Sequence, residues 1–160
     1  MILVSVGTTM FPFQRMTMLV ERLSHIQSRN EPIIFQYGHT PPHCLDPRVS
    51  AVSFLSHRIL MRYMKEARVV ISHGGPATIY QALSYGKRPW VLPREVRYGE
   101  HLNNHQVDFA RFLNTHKLIH LITPKMSIRS IVQAEVAIMP IRKHNRRLIR
   151  FLDSLLETPE

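Results

Sequence analysis

The apolar positions of the chain fall into short continuous runs separated by stretches with helical spacing. Residues 2–6 form an apolar run that ends at Gly7, and within 15–27 the residues Met16, Leu19, Val20, Leu23 and Ile26 recur at helical intervals. This predicts strand, loop, helix. A second run at 33–37 precedes a turn-rich stretch at 38–47, and a third at 49–55 leads into a helix predicted over 56–67. Val69, Val70 and Ile71 form a β-branched run suited to a strand buried on both faces, and a helix is expected over 76–85. A strand at 89–92, a polar loop at 93–103, a helix at 104–114 and a weaker strand at 118–122 follow, and helical segments close the chain. The alternation predicts an α/β fold: a Rossmann-like open parallel sheet with helices on both faces. Ligands of such sheets sit beyond the carboxyl ends of the strands, so the loops after strands are where function is sought.

Composition adds size and environment. The 160 residues are 44% hydrophobic, and the 11 prolines and six glycines mark no linker or repeat, which predicts one domain over 1–160. Cys44 is the only cysteine, so no internal disulfide can form and a reducing, cytoplasmic setting is expected. The N-terminus lacks a basic start and a long apolar core, and no later stretch has the length to cross a bilayer; the expectation is a chain neither secreted nor membrane-spanning. Lys and Arg number 21 against 11 Asp and Glu, a formal net charge of +10, which favours an anionic partner without choosing among nucleic acid, acidic lipid and phosphorylated ligand.

The loop after the 69–71 run carries the first candidate chemistry. Gly74 and Gly75 allow close backbone approach, and Pro76 suits the first helical position, where its missing N–H would lack a partner anyway. The N–H groups of Ala77 and Thr78 are then free at a helix start whose dipole end favours a diphosphate. Gln81, one turn further on, lies within reach of a ribose hydroxyl. A tight turn with no ligand would use the same Gly-Gly-Pro, so the pattern leaves both readings open. Neither Gly-x-x-x-x-Gly-Lys-Ser/Thr nor Gly-x-Gly-x-x-Gly occurs, which removes support for triphosphate hydrolysis and NAD chemistry. Gly7, Thr8 and Thr9 supply a second set of N–H and hydroxyl donors after the first strand, or simply cap a helix.

Three segments together are recognisable: Ser72-His73-Gly74-Gly75-Pro76-Ala77-Thr78-Ile79-Tyr80-Gln81-Ala82-Leu83, then Gly86-Lys87-Arg88-Pro89-Trp90-Val91-Leu92-Pro93-Arg94, then Gly99-Glu100-His101-Leu102-Asn103-Asn104-His105-Gln106. They resemble the C-terminal domain of family 28 glycosyltransferases, of the GT-B type. The likeness is nearest to the small soluble catalytic subunits of two-component bacterial polysaccharide transferases and of the eukaryotic dolichol-pathway N-acetylglucosaminyltransferase, and it runs from residue 2 to about 113.

The resemblance implies a domain that binds a UDP-sugar. It implies diphosphate contacts at Thr8, Thr9, Gly74, Gly75, Pro76, Ala77 and Thr78, uridine contacts at Leu55 and Gln81, and donor-sugar contacts at Glu100, His105 and Gln106. Gln81 stands where longer relatives carry a ribose-binding glutamate, an uncharged amide in place of a carboxylate. Glu100 and His105 are the candidates for a catalytic base. No cofactor and no metal are expected. The aspartates are Asp46, Asp108 and Asp153, so no Asp-x-Asp exists to hold a cation. Charge on the leaving group would be met by amide dipoles and by Arg94. The cluster His39, His43 and Cys44 does not reproduce the ligand spacing of a structural zinc site.

One domain leaves no room for the acceptor half of a GT-B enzyme. The resemblance therefore implies a membrane-anchored partner subunit and an acceptor linked to polyprenyl diphosphate, in polysaccharide or lipid-linked oligosaccharide assembly. The expected activity is an inverting, metal-independent transfer of a hexosyl, N-acetylhexosaminyl or glucuronosyl group. Over 141–156, Ile141, Leu148, Ile149, Leu152, Leu155 and Leu156 share one helical face apart from Arg142, Lys143, Arg146, Arg147 and Arg150. Such a basic amphipathic helix can dock on a partner, lie on an anionic membrane surface, or pack on its own domain. Two other readings remain: a UDP-sugar epimerase, which would need a second domain in the same chain, and a non-catalytic basic binding module. For the latter no nucleic-acid signature is present, and close aromatic pairs such as Phe11 and Phe13 are not clustered into a platform for bases.

Overall fold

A computed structural model of the protein describes residues 1–26 and 31–134. The basic helix expected over 141–156 lies outside the described residues. In chain order the elements are β1 (Ile2–Ser5), α1 (Gln14–Ile26), β2 (Ile33–Gln36), β3 (Val49–Val52), α2 (His57–Glu66), β4 (Val69–Ser72), α3 (Pro76–Ser84), β5 (Trp90–Val91), α4 (His105–Thr115), β6 (His120–Leu121) and α5 (Arg129–Gln133). A 3-10 turn at Val96–Tyr98, which the sequence pattern did not predict, sits between β5 and α4.

All strand pairs are parallel and the sheet order is β3-β2-β1-β4-β5-β6. The order reverses direction between β1 and β4, so the crevice at their carboxyl ends is the topological switch point of the sheet. Register there is direct: Ser5 pairs with Ser72, and Gly7 and Gly74 each lie two residues further on.

Side chains of the central strands alternate between the two layers, as the period of a strand requires. Ile2 and Val4 of β1 and Val69 and Ile71 of β4 join Met16, Leu19, Val20 and Leu23 of α1 and Ile131 of α5 in the largest buried cluster. Leu3 and Val70 point the other way, onto Met64 and Ala82 of α2 and α3, while Val91 continues that layer with Ile79, Ala110 and Leu113. Because β1 and β4 are buried at every position, they read as continuous apolar runs. The edge strand β3 alternates between half-buried and exposed positions.

β2 and β3 are joined by a crossover without a helix, residues 37–48, where Pro41, Pro42 and Pro47 remove backbone donors. Tyr37 and Leu45 anchor it against the α1 layer. The helix expected over 56–67 runs between its caps: the Ser56 side chain accepts from the N–H of Ile59, and Ala67 closes the other end. Among the described residues no helix is long and apolar enough to cross a membrane.

Candidate functional site

The loops after β1 and β4 meet at the switch point, and a histidine lies between them. The His73 ring is buried to 9% exposure. A Cβ on Gly7 would come within 2.6 Å of that ring and a Cβ on Gly75 within 2.3 Å. Both positions must therefore be glycine for the imidazole to fit. Gly7 also takes a positive φ of 76°, whereas Gly75 has an ordinary φ of −71°. The Gly75 requirement is thus steric: the side chain before it occupies the space, which is a different reason from backbone approach to a ligand. Gly74 answers to another neighbour, since a Cβ there would lie 2.8 Å from the Cβ of Gln106.

Burial pushes the His73 imidazole down to about 4, with the nearby Arg94 guanidinium adding to the shift. The ring is neutral at physiological pH. Sequence position alone assigns His73 no role, because Gly7 reaches its ring only through the fold.

Beyond His73 the chain enters α3 at Gly75, with Pro76 in the first turn and no side chain capping the helix. Ile79 N–H returns to Gly75 carbonyl oxygen, and the N–H groups of Ala77 and Thr78 at the helix start have no backbone partner among the described residues. Thr8 is exposed and Thr9 half-buried, and neither hydroxyl is hydrogen-bonded among the described residues. Gln81 lies one turn along α3 and is half-buried.

Leu55, the expected uridine contact, follows β3. Its N–H donates to Gln36 Oε1 at 3.3 Å, and Gln36 Nε2 donates to Gly7 carbonyl oxygen at 3.1 Å. Gln36 is 2% exposed. A single buried amide on β2 thus ties the Gly7 loop to the Leu55 loop. An isolated glutamine ending an apolar run gave no sequence signal of this bridge. With its N–H engaged, Leu55 offers a ligand its carbonyl rather than its amide.

The third expected cluster divides. His105 begins α4, is exposed, and sets its ring edge-on to His101 at 4.8 Å, and Phe11 stacks on His101 at 6.0 Å. Gln106 is 5% exposed, and its Oε1 accepts from the N–H of Arg94 at 3.3 Å. Glu100 is the most enclosed of the three. It is 2% exposed, and its carboxylate accepts from Arg15 Nε and Nη2 and from the N–H of Glu95. That carboxylate is thus enclosed by those donors.

Arg94 is enclosed in the same way. At 1% exposure its guanidinium donates to the carbonyl oxygens of Val6 (3.0 Å), Phe11 (2.9 Å), Pro12 (3.2 Å) and Glu100 (3.3 Å), and lies over the Phe13 ring at 4.4 Å. Burial lowers its pKa to about 10, leaving it charged at neutral pH. The cation holds backbone and is not presented to a leaving group.

Among the described residues no three His, Cys, Asp or Glu side chains converge as potential metal ligands. His39 packs instead on Phe54, with ring centroids 5.2 Å apart, and Cys44 is exposed.

Sheet order, helices on both faces and paired loops at the switch point define the doubly wound α/β class, in the form of the C-terminal half of a GT-B fold. The chain belongs to glycosyltransferase family 28, whose C-terminal domain matches residues 1–121. Among curated proteins no sequence match is found. Similar solved structures include the glycotransferase of kitacinnamycin, with a TM-score of 0.62 and 18% identity over 96% of this chain and 37% of that one. CalG4, the calicheamicin glycosyltransferase, has a TM-score of 0.59 and 15% identity over 98% and 39% of the two chains. SnogD from Streptomyces nogalater has a TM-score of 0.59 and 15% identity over 99% and 40%. The chain thus spans about two fifths of the length of the structures it matches, and at these identities the likeness is one of fold.

Proposed function

We propose that the protein binds the UDP-sugar donor of a glycosyl transfer, with the diphosphate between the Gly7-Thr8-Thr9 loop and the start of α3. The observation that carries this reading is the pairing of β1 with β4, which brings free hydroxyls and the free N–H groups of Ala77 and Thr78 to one crevice. Such donors, at the positive end of a helix dipole, suit two phosphates. Fixed dipoles of this kind also stabilise charge that develops on a departing UDP, without a bound cation.

In this reading uridine lies toward Leu55 and Gln81, and the sugar toward His105 and Gln106. Of the two base candidates, His105 alone has an exposed side chain. Transfer proceeds with inversion to an acceptor linked to polyprenyl diphosphate, which a membrane-anchored partner subunit supplies. Turnover then depends on that partner.

Calorimetric titration with UDP and a panel of UDP-sugars, with and without EDTA, tests the reading. Binding that survives chelation is expected. Gln81→Ala and His105→Ala should each weaken UDP-sugar binding about tenfold, the effect of losing one hydrogen bond, while Cys44→Ala should leave it unchanged. Absence of binding at millimolar ligand would sink the donor-site reading, and loss of binding on chelation would sink the metal-free one.

A further inference from the structure

Two arginines cross between the β1 and β5 loops in opposite directions. Arg15, at the start of α1, reaches to the loop after β5. Its Nε donates to Glu100 Oε1 at 2.9 Å, its Nη1 to Glu95 Oε1 at 3.0 Å and its Nη2 to Pro93 carbonyl oxygen at 2.7 Å. Arg94, on that loop, reaches back to the carbonyl oxygens of Val6, Phe11 and Pro12 on either side of Gly7-Thr8-Thr9. Phe13 lies under both guanidinium groups, 4.4 Å from Arg94 and 5.7 Å from Arg15, and Tyr98 stacks on Arg15 at 4.4 Å. Glu100 joins the two halves, since its carboxylate holds Arg15 while its carbonyl accepts from Arg94.

Burying Arg94 and Glu100 carries a desolvation cost that an apolar pair of similar volume would avoid. Fold stability alone gives no reason to retain such a cluster. What it does supply is fixed geometry: bidentate and multiply bonded guanidinium groups hold two loops in one relative position. One of those loops carries Thr8 and Thr9, and the other leads to His101, His105 and Gln106.

We infer that this reciprocal clasp fixes the sugar-facing loop against the diphosphate-facing loop, so that Arg15 and Glu100 are positioning residues that let the site hold a nucleotide-sugar better than the bare nucleotide. The inference rests on the donor-site reading above. The proposed diphosphate contacts are the Thr8 and Thr9 hydroxyls and the N–H groups at the start of α3, whereas Arg15 bonds to Glu100, Glu95 and Pro93. Loosening the clasp therefore frees the 95–104 segment and with it the sugar contacts, while the nucleotide contacts stay in place. A remote residue that orients binding groups in this way changes which ligand is preferred rather than whether the site forms.

The test compares the wild type with Arg15→Lys, which loses bidentate geometry but keeps charge, and Glu100→Gln, which keeps shape but weakens the charged bonds. Truncation of either residue to alanine would leave a buried partner unpaired and risk unfolding. UDP affinity should stay within about twofold, while the ratio of UDP-sugar to UDP affinity falls about tenfold, equivalent to one lost hydrogen bond. The surface variant Arg111→Ala should leave that ratio unchanged. Hydrogen exchange gives a readout that needs no ligand: backbone amides of residues 95–104 should exchange faster in both variants, with β1 and β4 unchanged. An unaltered ratio, an equal fall for UDP and UDP-sugar, or unaltered exchange in 95–104 would each overturn the clasp as a positioning device. A wild type that binds neither ligand while the variants still loosen 95–104 would instead overturn the donor-site reading.

Discussion

His73 shows how one residue sets the spacing of the site. Its ring fills the gap between Gly7 and Gly75 and leaves no room for a side chain at either position. Neutrality has a consequence for pH. The folded-state pKa of about 4 lies below the unfolded value near 6.5, so between these values the unfolded chain binds more protons than the folded one. Stability is fully present above about pH 6.5 and is lost as pH falls through the folded pKa, by about 3 kcal/mol in total. Arg94 and His101, the charged and titratable groups nearest the ring, both act to keep the proton off. Glu31 and Asp46, whose pKa values their Arg68 and Arg48 partners hold below the ordinary carboxylate range, lose their contribution only at lower pH. Thermal melting of the wild type should therefore fall between pH 6.5 and 5, and His73→Asn should show a flatter profile over the same interval. Parallel profiles would mean that His73 is not the titrating group.

At the scale of elements, most of the fold was legible because each strand or helix announces itself locally. The 69–71 run became β4, and Met16, Leu19, Val20 and Leu23 became the buried face of α1. The strands at 89–92 and 118–122 shrank to two residues each, since the ladder between them pairs only Trp90 with His120 and Val91 with Leu121, and β4 pairs only Ile71 and Ser72 with the same two residues of β5. The helix-start donors were legible too, because Gly-Gly-Pro is a contiguous signal. The contacts that organise the site were not: Arg15 and Glu100 are separated by 85 positions, and Arg94 and Val6 by 88. Polar residues in a polar loop look alike until the fold decides which are buried, and Glu100 and Arg94 were read as facing a ligand for that reason. Gln36 belongs to the same class. It bridges β2 to the Gly7 and Leu55 loops, so Gln36→Leu leaves two backbone groups without their partner, at a cost of about 1–3 kcal/mol each if they stay buried. UDP binding should weaken alongside stability, by calorimetry and melting respectively; an unchanged UDP affinity would show that the two loops need no bridge.

For the molecule as a whole, charge and site geometry predict different behaviour toward anions. The formal net charge of +10 attracts any polyanion, and this attraction acts through solvent and counterion release. Several of the cations are already committed among the described residues: Arg15, Arg48 and Arg68 are paired with carboxylates, and Arg94 with carbonyl oxygens. The proposed donor site instead uses backbone N–H groups and hydroxyls at short range, which salt screens far less than it screens exposed charge. Raising salt from 50 to 200 mM should therefore abolish most binding to a random oligonucleotide while UDP affinity changes only a few-fold. At the higher salt, UDP should remain bound in the presence of excess oligonucleotide. The opposite order, with the oligonucleotide displacing UDP or the two losing affinity in parallel, would mean that the basic surface is the binding site and that the crevice between β1 and β4 is only a turn.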